Sequence, residues 1–118
     1  MRHLKKGKKF GRLKGPRQHF LRNLASDLIR KEKIETTETR AKAIRPIVEK
    51  LVTLAKKQNL ASRRLLISRL HNARVAQKMY EDIGPRYLEK KGGYLRITKS
   101  SKARKRDGSQ LAVIEFVK

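Results

Sequence analysis

His3, His19 and His71 are the three histidines of this sequence, and histidine is the residue type most often found as a metal ligand or a general base. They share no metal-ligand spacing and have no carboxylate at a fixed offset, so neither a metal centre nor a general base is built from them. His71 falls near an expected helix end and reads as a structural residue. Glu81 and Asp82 are adjacent, and adjacent residues do not face each other on a helix, so they form no acid–base pair. No glycine is followed by the Gly-Lys-Ser/Thr that holds a nucleotide phosphate and its metal ion. Serines and threonines are scattered without a readable base. Enzymatic chemistry finds no anchor here, and neither a cofactor nor a small-molecule substrate is expected.

The chemistry that is present is cationic. In 118 residues, 33 Lys and Arg face 10 Asp and Glu, a formal net charge of +23. Self-repulsion on that scale disfavours a compact free chain and favours a polyanionic partner. Residues 1–22 hold nine basic residues and no acid; the first carboxylate is Asp27. Within them, "LKKGKKFGRLKGPRQH" carries glycines at Gly7, Gly11 and Gly15, which discourage a stiff helix. Arg63 to Lys78 adds five cations without an acid, and Lys102, Arg104, Lys105 and Arg106 form a third cluster. Each phosphate neutralised by Lys or Arg releases condensed counterions, and only Arg can bridge two oxygens at once.

The candidate contacts are Arg2, His3, Lys5, Lys6, Lys8, Lys9, Arg12, Lys14, Arg17 and Arg22 in and beside the basic start. Arg40 and Lys42 follow on the second helix, Arg63, Arg64 and Arg69 on the third, and Lys102, Arg104, Lys105 and Arg106 near the C-terminal end. Phe10, His19 or Phe20 could lie on exposed bases, although Phe20 fits better in the core. Tyr87 and Tyr94 are open between stacking on bases and packing under a sheet. Lys56-Lys57 reads as a solvated face. Cations spread over several regions suit a protein enclosed by its partner. Nucleic acid leads and an anionic membrane surface follows.

These residues need elements to hold them. Leu, Ile, Val and Phe make up about a quarter of the chain, enough for a modest core. Only Leu4, Phe10 and Leu13 fall among the first nineteen residues, too few to offset the ordering of that segment. The division expected is an extended basic arm, 1–15, and a single α+β domain, 16–118. Gly15-Pro16 suits a helix start, and Phe20, Leu21, Leu24 and Leu28 give that helix one apolar stripe. "KIETT" (Lys33 to Thr37) is a short β-branched strand. Thr37 can cap a helix striped by Ala41, Ile44, Val48, Leu51 and Ala55, kinked at Pro46. Asn59 and Asn72 can cap two further helices, and Gly84-Pro85 would close the last, with Gly84 in the left-handed conformation. "YLRITK" and "LAVIEFV" read as strands flanking a long basic hairpin tip at 100–110. A lone KIETT strand is unstable, so it should join this hairpin. The result is a two-layer body of about four helices on a three-stranded sheet. Its expected core includes Leu24, Leu28, Ile44, Val48, Leu51, Met79, Ile97 and Val113.

There is no cysteine, hence no disulfide or thiolate site and no support for secretion. No apolar run approaches the roughly 18 residues needed to span a bilayer, and the start lacks a signal peptide's apolar stretch. A cytoplasmic protein is expected.

"MRHLKKGKKFGR" followed by "LRNLASDLI", "IETTETRAKAIRPIVEKLVTLAKK" (Ile34 to Lys57), "IGPRYLEKKGGYLRI" (Ile83 to Ile97) and "LAVIEFV" together resemble the bacterial large-subunit ribosomal protein seventeen family, in order and end to end. The Thr-Thr-x-x-x-Ala-Lys turn and helix is the most specific of these segments. The sequence departs at "LKGPRQH", where Pro16 stands in place of a usual His, and at Leu95, which replaces a usual Thr at a position taken to be exposed. The resemblance implies a non-enzymatic structural protein bound to large-subunit ribosomal RNA near the outer side of the peptide exit region. It also implies contact with the neighbouring large-subunit protein thirty-two. Without it, a DNA-compacting nucleoid-type protein is the alternative, weakened by the absence of a recognisable helix-turn-helix.

Overall fold

The computed structural model describes residues 9–117, which form four helices against a three-stranded sheet. The first helix, α1 (Lys14–Lys31), begins two residues before the expected Pro16 start, so Lys14 and Gly15 are already helical. It buries Ala25, Ser26, Leu28 and Ile29, and Leu21 and Leu24 pack at the edge of the core. Glu32 ends it in the left-handed region at φ 63° and leads into strand β1 (Lys33–Thr37).

Thr37 then caps α2 (Glu38–Ala55), its hydroxyl accepting from the Arg40 N–H at 3.3 Å. The helix runs through Pro46, whose ring costs about 3 kcal/mol in an ideal helix interior. The buried stripe of Ala41, Ile44, Val48, Leu51, Val52, Leu54 and Ala55 on both sides of it offsets that cost. α3 (Leu60–Leu70) starts with a reciprocal cap between Asn59 and Ser62. Only Ser62, Leu66 and Leu70 of α3 are buried, which leaves Leu60, Leu65 and Ile67 in solvent. His71 closes α3 in the left-handed conformation, donating its N–H to the Ile67 carbonyl at 2.8 Å.

Asn72 caps α4 (Ala73–Lys78), which a π-helical segment, Met79–Ile83, and a last turn, Gly84–Arg86, prolong. Gly84 therefore does not close the helix as expected. It is right-handed, at φ −55° and ψ −55°, and the chain stays helical through Pro85. Its lack of a side chain serves contact instead, since a Cβ there would lie 2.9 Å from the Ala55 carbonyl oxygen.

Strands β2 (Leu95–Ala103) and β3 (Gln110–Phe116) complete the sheet in the order β1-β3-β2, antiparallel throughout. Ile34 and Ile97 both pair with Ile114, forming one row across the sheet that faces the helices. On β3 the buried positions are Ala112, Ile114 and Phe116; Val113 faces outward and is only partly covered, contrary to its expected core place. The two-residue side-chain period leaves no other choice once Ile114 points inward. Leu95 points inward too and is buried, so the position taken as an exposed contact is a core one. β2 also reaches further than "YLRITK", and a register shift between Lys99 and Ala103 narrows the tip to the residues between Ala103 and Gln110.

Two polar ties join elements far apart in the chain. Glu32 pairs with Arg86 and with Lys78 at 3.4 Å, and Lys78 also donates to the Arg30 carbonyl at 2.8 Å. This fastens the C-terminal end of α1 to the α4 assembly, with cations where the helix dipole is negative. The hydrogen bond from Arg86 dominates the opposing effect of burial and holds the Glu32 carboxyl below its ordinary value. The second tie is Lys56, whose ammonium reaches the Tyr94 hydroxyl at 2.8 Å and the Lys90 carbonyl. Lys56 is thus structural, whereas Lys57 is exposed as expected. Tyr87 and Tyr94 are both buried, with Phe116 beside them, so packing under the sheet is their role.

Candidate nucleic-acid interface

Of the sequence candidates, Arg2, His3, Lys5, Lys6 and Lys8 lie outside the described residues. Lys9 is exposed just before a turn in which Phe10 (φ 52°) and Gly11 (φ 63°) are both left-handed. That turn folds the chain back onto α1. Phe10 packs against Phe20 with ring centres 5.4 Å apart, and the Arg12 guanidinium lies over the Phe20 ring at 4.1 Å. Arg40, at the start of α2, approaches the same ring at 5.0 Å. Phe20 is accordingly only half-buried, clamped between two arginines rather than set in the core. Cation–π contacts hold the guanidinium planes; Arg12 also donates one N–H to the Phe10 carbonyl at 2.8 Å, and its other donors are left to other partners.

The hairpin tip adds a third charge to this place. Burial, then the nearby Arg104 and Arg12 charges, lower the Arg40 guanidinium below its ordinary value. Arg12 and Arg40 thus meet at one ring, and Arg104, from a third segment, is near enough for its charge to act on Arg40. Among the described residues, no carboxylate pairs with Arg12 or Arg40, while Asp107 lies 3.6 Å from Arg104. Mutual repulsion there is relieved by an anion, and a phosphate is the group that a guanidinium fork fits best. A shallow depression lined by Arg12, Pro16, His19, Phe20 and Asn23 adjoins the cluster.

The remaining candidates divide. Lys14 and Arg17 occupy the first turns of α1, near the cluster in sequence. Lys42 is neutralised by Glu38 at 2.9 Å, which Lys99 also approaches at 3.7 Å, so it is the least available cation of the set. Arg63 stands over Tyr80 at 5.7 Å, and Arg64 and Arg69 are exposed on α3. Arg22 and Arg69 border a cavity together with Lys50, a residue with no signal in the sequence. Lys102, Lys105 and Arg106 are exposed on the hairpin; the tip itself is ordered by Asp107, which accepts from the Ser109 N–H at 3.0 Å. Among the described residues no group of three or more His, Asp or Glu is placed to hold a metal ion. No helix among them is long and apolar enough to cross a membrane.

Fold and surface together define a small, strongly basic α+β protein with cations converging from separate segments, the class that binds a polyanion. The family model for ribosomal protein L17 matches residues 20–117, and this chain belongs to that family, one of ribosomal proteins and not of enzymes. The chain is 52% identical over 118 residues to the large ribosomal subunit protein bL17 of Persephonella marina, covering 99% of this chain and 95% of that protein. Proteins of the same name from Sulfurihydrogenibium sp. and Thermomicrobium roseum are 49% and 47% identical over 117 residues. Those alignments cover 99% of this chain each time, and 97% and 99% of the relatives.

Proposed function

We propose that this chain is a structural constituent of the large ribosomal subunit in the cytoplasm, binding large-subunit ribosomal RNA through many phosphate contacts and supporting translation without catalysis. The observation that carries the reading is the Arg12–Phe20–Arg40 clamp with Arg104 beside it. Membership of the L17 family and the +23 charge support it. The basic arm at residues 1–15 follows the RNA in this reading, its cations meeting phosphates along the way. The globular domain at 16–118 sets the register through Phe20, Arg40 and Arg104, and Arg12 of the arm completes the clamp. Contact with neighbouring ribosomal proteins, protein thirty-two among them, belongs to the same proposal.

The test is the salt dependence of binding to a large-subunit ribosomal RNA fragment, for the wild type and for Arg12→Gln/Arg40→Gln. Losing two phosphate contacts should flatten the log–log slope by about 1.4–1.8 units, at roughly 0.7–0.9 per contact. An unchanged slope would remove the clamp from the interface. Equal affinity for RNA and for duplex DNA of the same length would favour the nucleoid alternative.

A further inference from the structure

We propose that the cavity between α1, α2 and α3 is a receptor for one unpaired RNA base, an inference that rests on the RNA-binding reading above. The cavity is about 150 Å³ and is lined by Ala25, Ile47, Leu51 and Leu70. Ala25, Leu51 and Leu70 are 1%, 4% and 3% exposed and form the floor, while Ile47, 36% exposed, forms a lip. An apolar cavity of roughly this volume accommodates a benzene-sized ring.

Its rim is cationic on all three sides, with Arg22 from α1, Lys50 from α2 and Arg69 from α3. None of the three pairs with a carboxylate among the described residues, although ten such pairs form elsewhere. A small apolar cavity rimmed by cations that pair with no carboxylate among the described residues complements a flat base flanked by two phosphates.

The surroundings favour RNA over an acidic peptide. Arg22 and Leu70 also border a polar groove holding Asn23, Asn72 and His71, in which the carboxylate of Asp27 is paired with Arg30. That groove shares His19 and Asn23 with the depression beside Phe20. A continuous track therefore follows α1 from the arginine clamp to the cavity. Amide and imidazole groups along it suit sugar hydroxyls and base edges, whereas a peptide held by apolar anchors would need further apolar slots. The helices that shape the cavity pack against one another through buried side chains, so the site is formed before binding.

The experiment compares the full chain's affinity, by fluorescence anisotropy, for a short RNA hairpin carrying one unpaired pyrimidine, the single-ring base, and for the same hairpin fully paired. The wild type should prefer the first by roughly tenfold, the scale of one accommodated base. Ile47→Ser should erase that preference and leave affinity for the paired hairpin unchanged; Ile47→Val should keep it. Circular dichroism should show both variants folded, since Ile47 is a lip and not the floor. Equal wild-type affinity for the two hairpins would overturn the base receptor while leaving RNA binding in place. Absence of binding to either would overturn the RNA reading itself. Capture of a Leu/Glu-rich peptide, lost in Ile47→Ser and with no preference between hairpins, would reassign the cavity to a protein partner and overturn the inference.

Discussion

Replacing Gly84 by Ala sets two effects of similar size against each other. Gly84 is helical, at φ −55° and ψ −55°, so propensity alone favours Ala by about 1 kcal/mol. Sterically, the new Cβ would stand 2.9 Å from the Ala55 carbonyl oxygen and 3.0 Å from its carbon and Cβ. Those atoms belong to backbone at the end of α2, and they are pinned. The same carbonyl accepts from the Gln58 N–H at 3.2 Å and the Gln58 side-chain amide at 2.8 Å. To make room, α2 and the α4 assembly must separate by a few tenths of an ångström across a contact that buries Ala55, Ile83 and Gly84. Overpacking costs about 1–3 kcal/mol, and because the atoms met are pinned backbone the upper part of that range, about 2–3 kcal/mol, applies here, more than propensity returns. We expect Gly84→Ala to lose about 1–2 kcal/mol and to melt roughly 4–8 °C lower. The assay is thermal unfolding of the isolated protein by far-UV circular dichroism, with salt added to screen its charge. Gly92→Ala is the control, because nothing lies within 4 Å of its would-be Cβ. A Gly84→Ala protein as stable as wild type would refute the reasoning, since the helix contact would then yield freely.

Leu51, 4% exposed, should cost about 2–5 kcal/mol when cut to Ala, whereas the same change at the partly covered Val113 should cost less than about 1 kcal/mol; urea titrations of the two variants rank them. The Glu32 carboxyl is depressed by Arg86, so its contribution is present above the ordinary carboxylate pKa and is lost as pH falls through the lower folded value. Glu32→Gln should therefore flatten the acid limb of stability against pH by under about 1 kcal/mol, because the pair is partly solvated; an unchanged acid limb would count against the tie. Replacing Arg104, Lys105 and Arg106 together by Ala should leave the unfolding curve intact, because the tip is exposed. It should also lower the salt slope of RNA binding by about two units, read from titrations at several salt concentrations.

Elements were legible in the sequence wherever their cause is local. The caps Thr37, Asn59 and Asn72 satisfy donors within three residues of themselves, and they stand where expected. The stripe from Ala41 to Ala55 carried α2 through Pro46, and KIETT joined the C-terminal hairpin. The charge was equally plain, since a sum over composition needs no fold. Other roles depended on what arrives from elsewhere in the chain. Phe20 shares the apolar spacing of α1, yet Arg12 and Arg40 reach its ring before the core does. Gly84 has the local look of a left-handed stop, but its constraint is the carbonyl of Ala55, 29 positions earlier. Lys56 reads as solvated until Tyr94 is brought beneath it. Val113 and Ile114 are both β-branched and apolar, and only the sheet's placement against the helices selects which one is buried. The arginine clamp and the cavity rimmed by Arg22, Lys50 and Arg69 each draw on separate segments. Periodicity reports which face of an element is apolar; which groups meet across that face is set by packing between elements far apart in the chain.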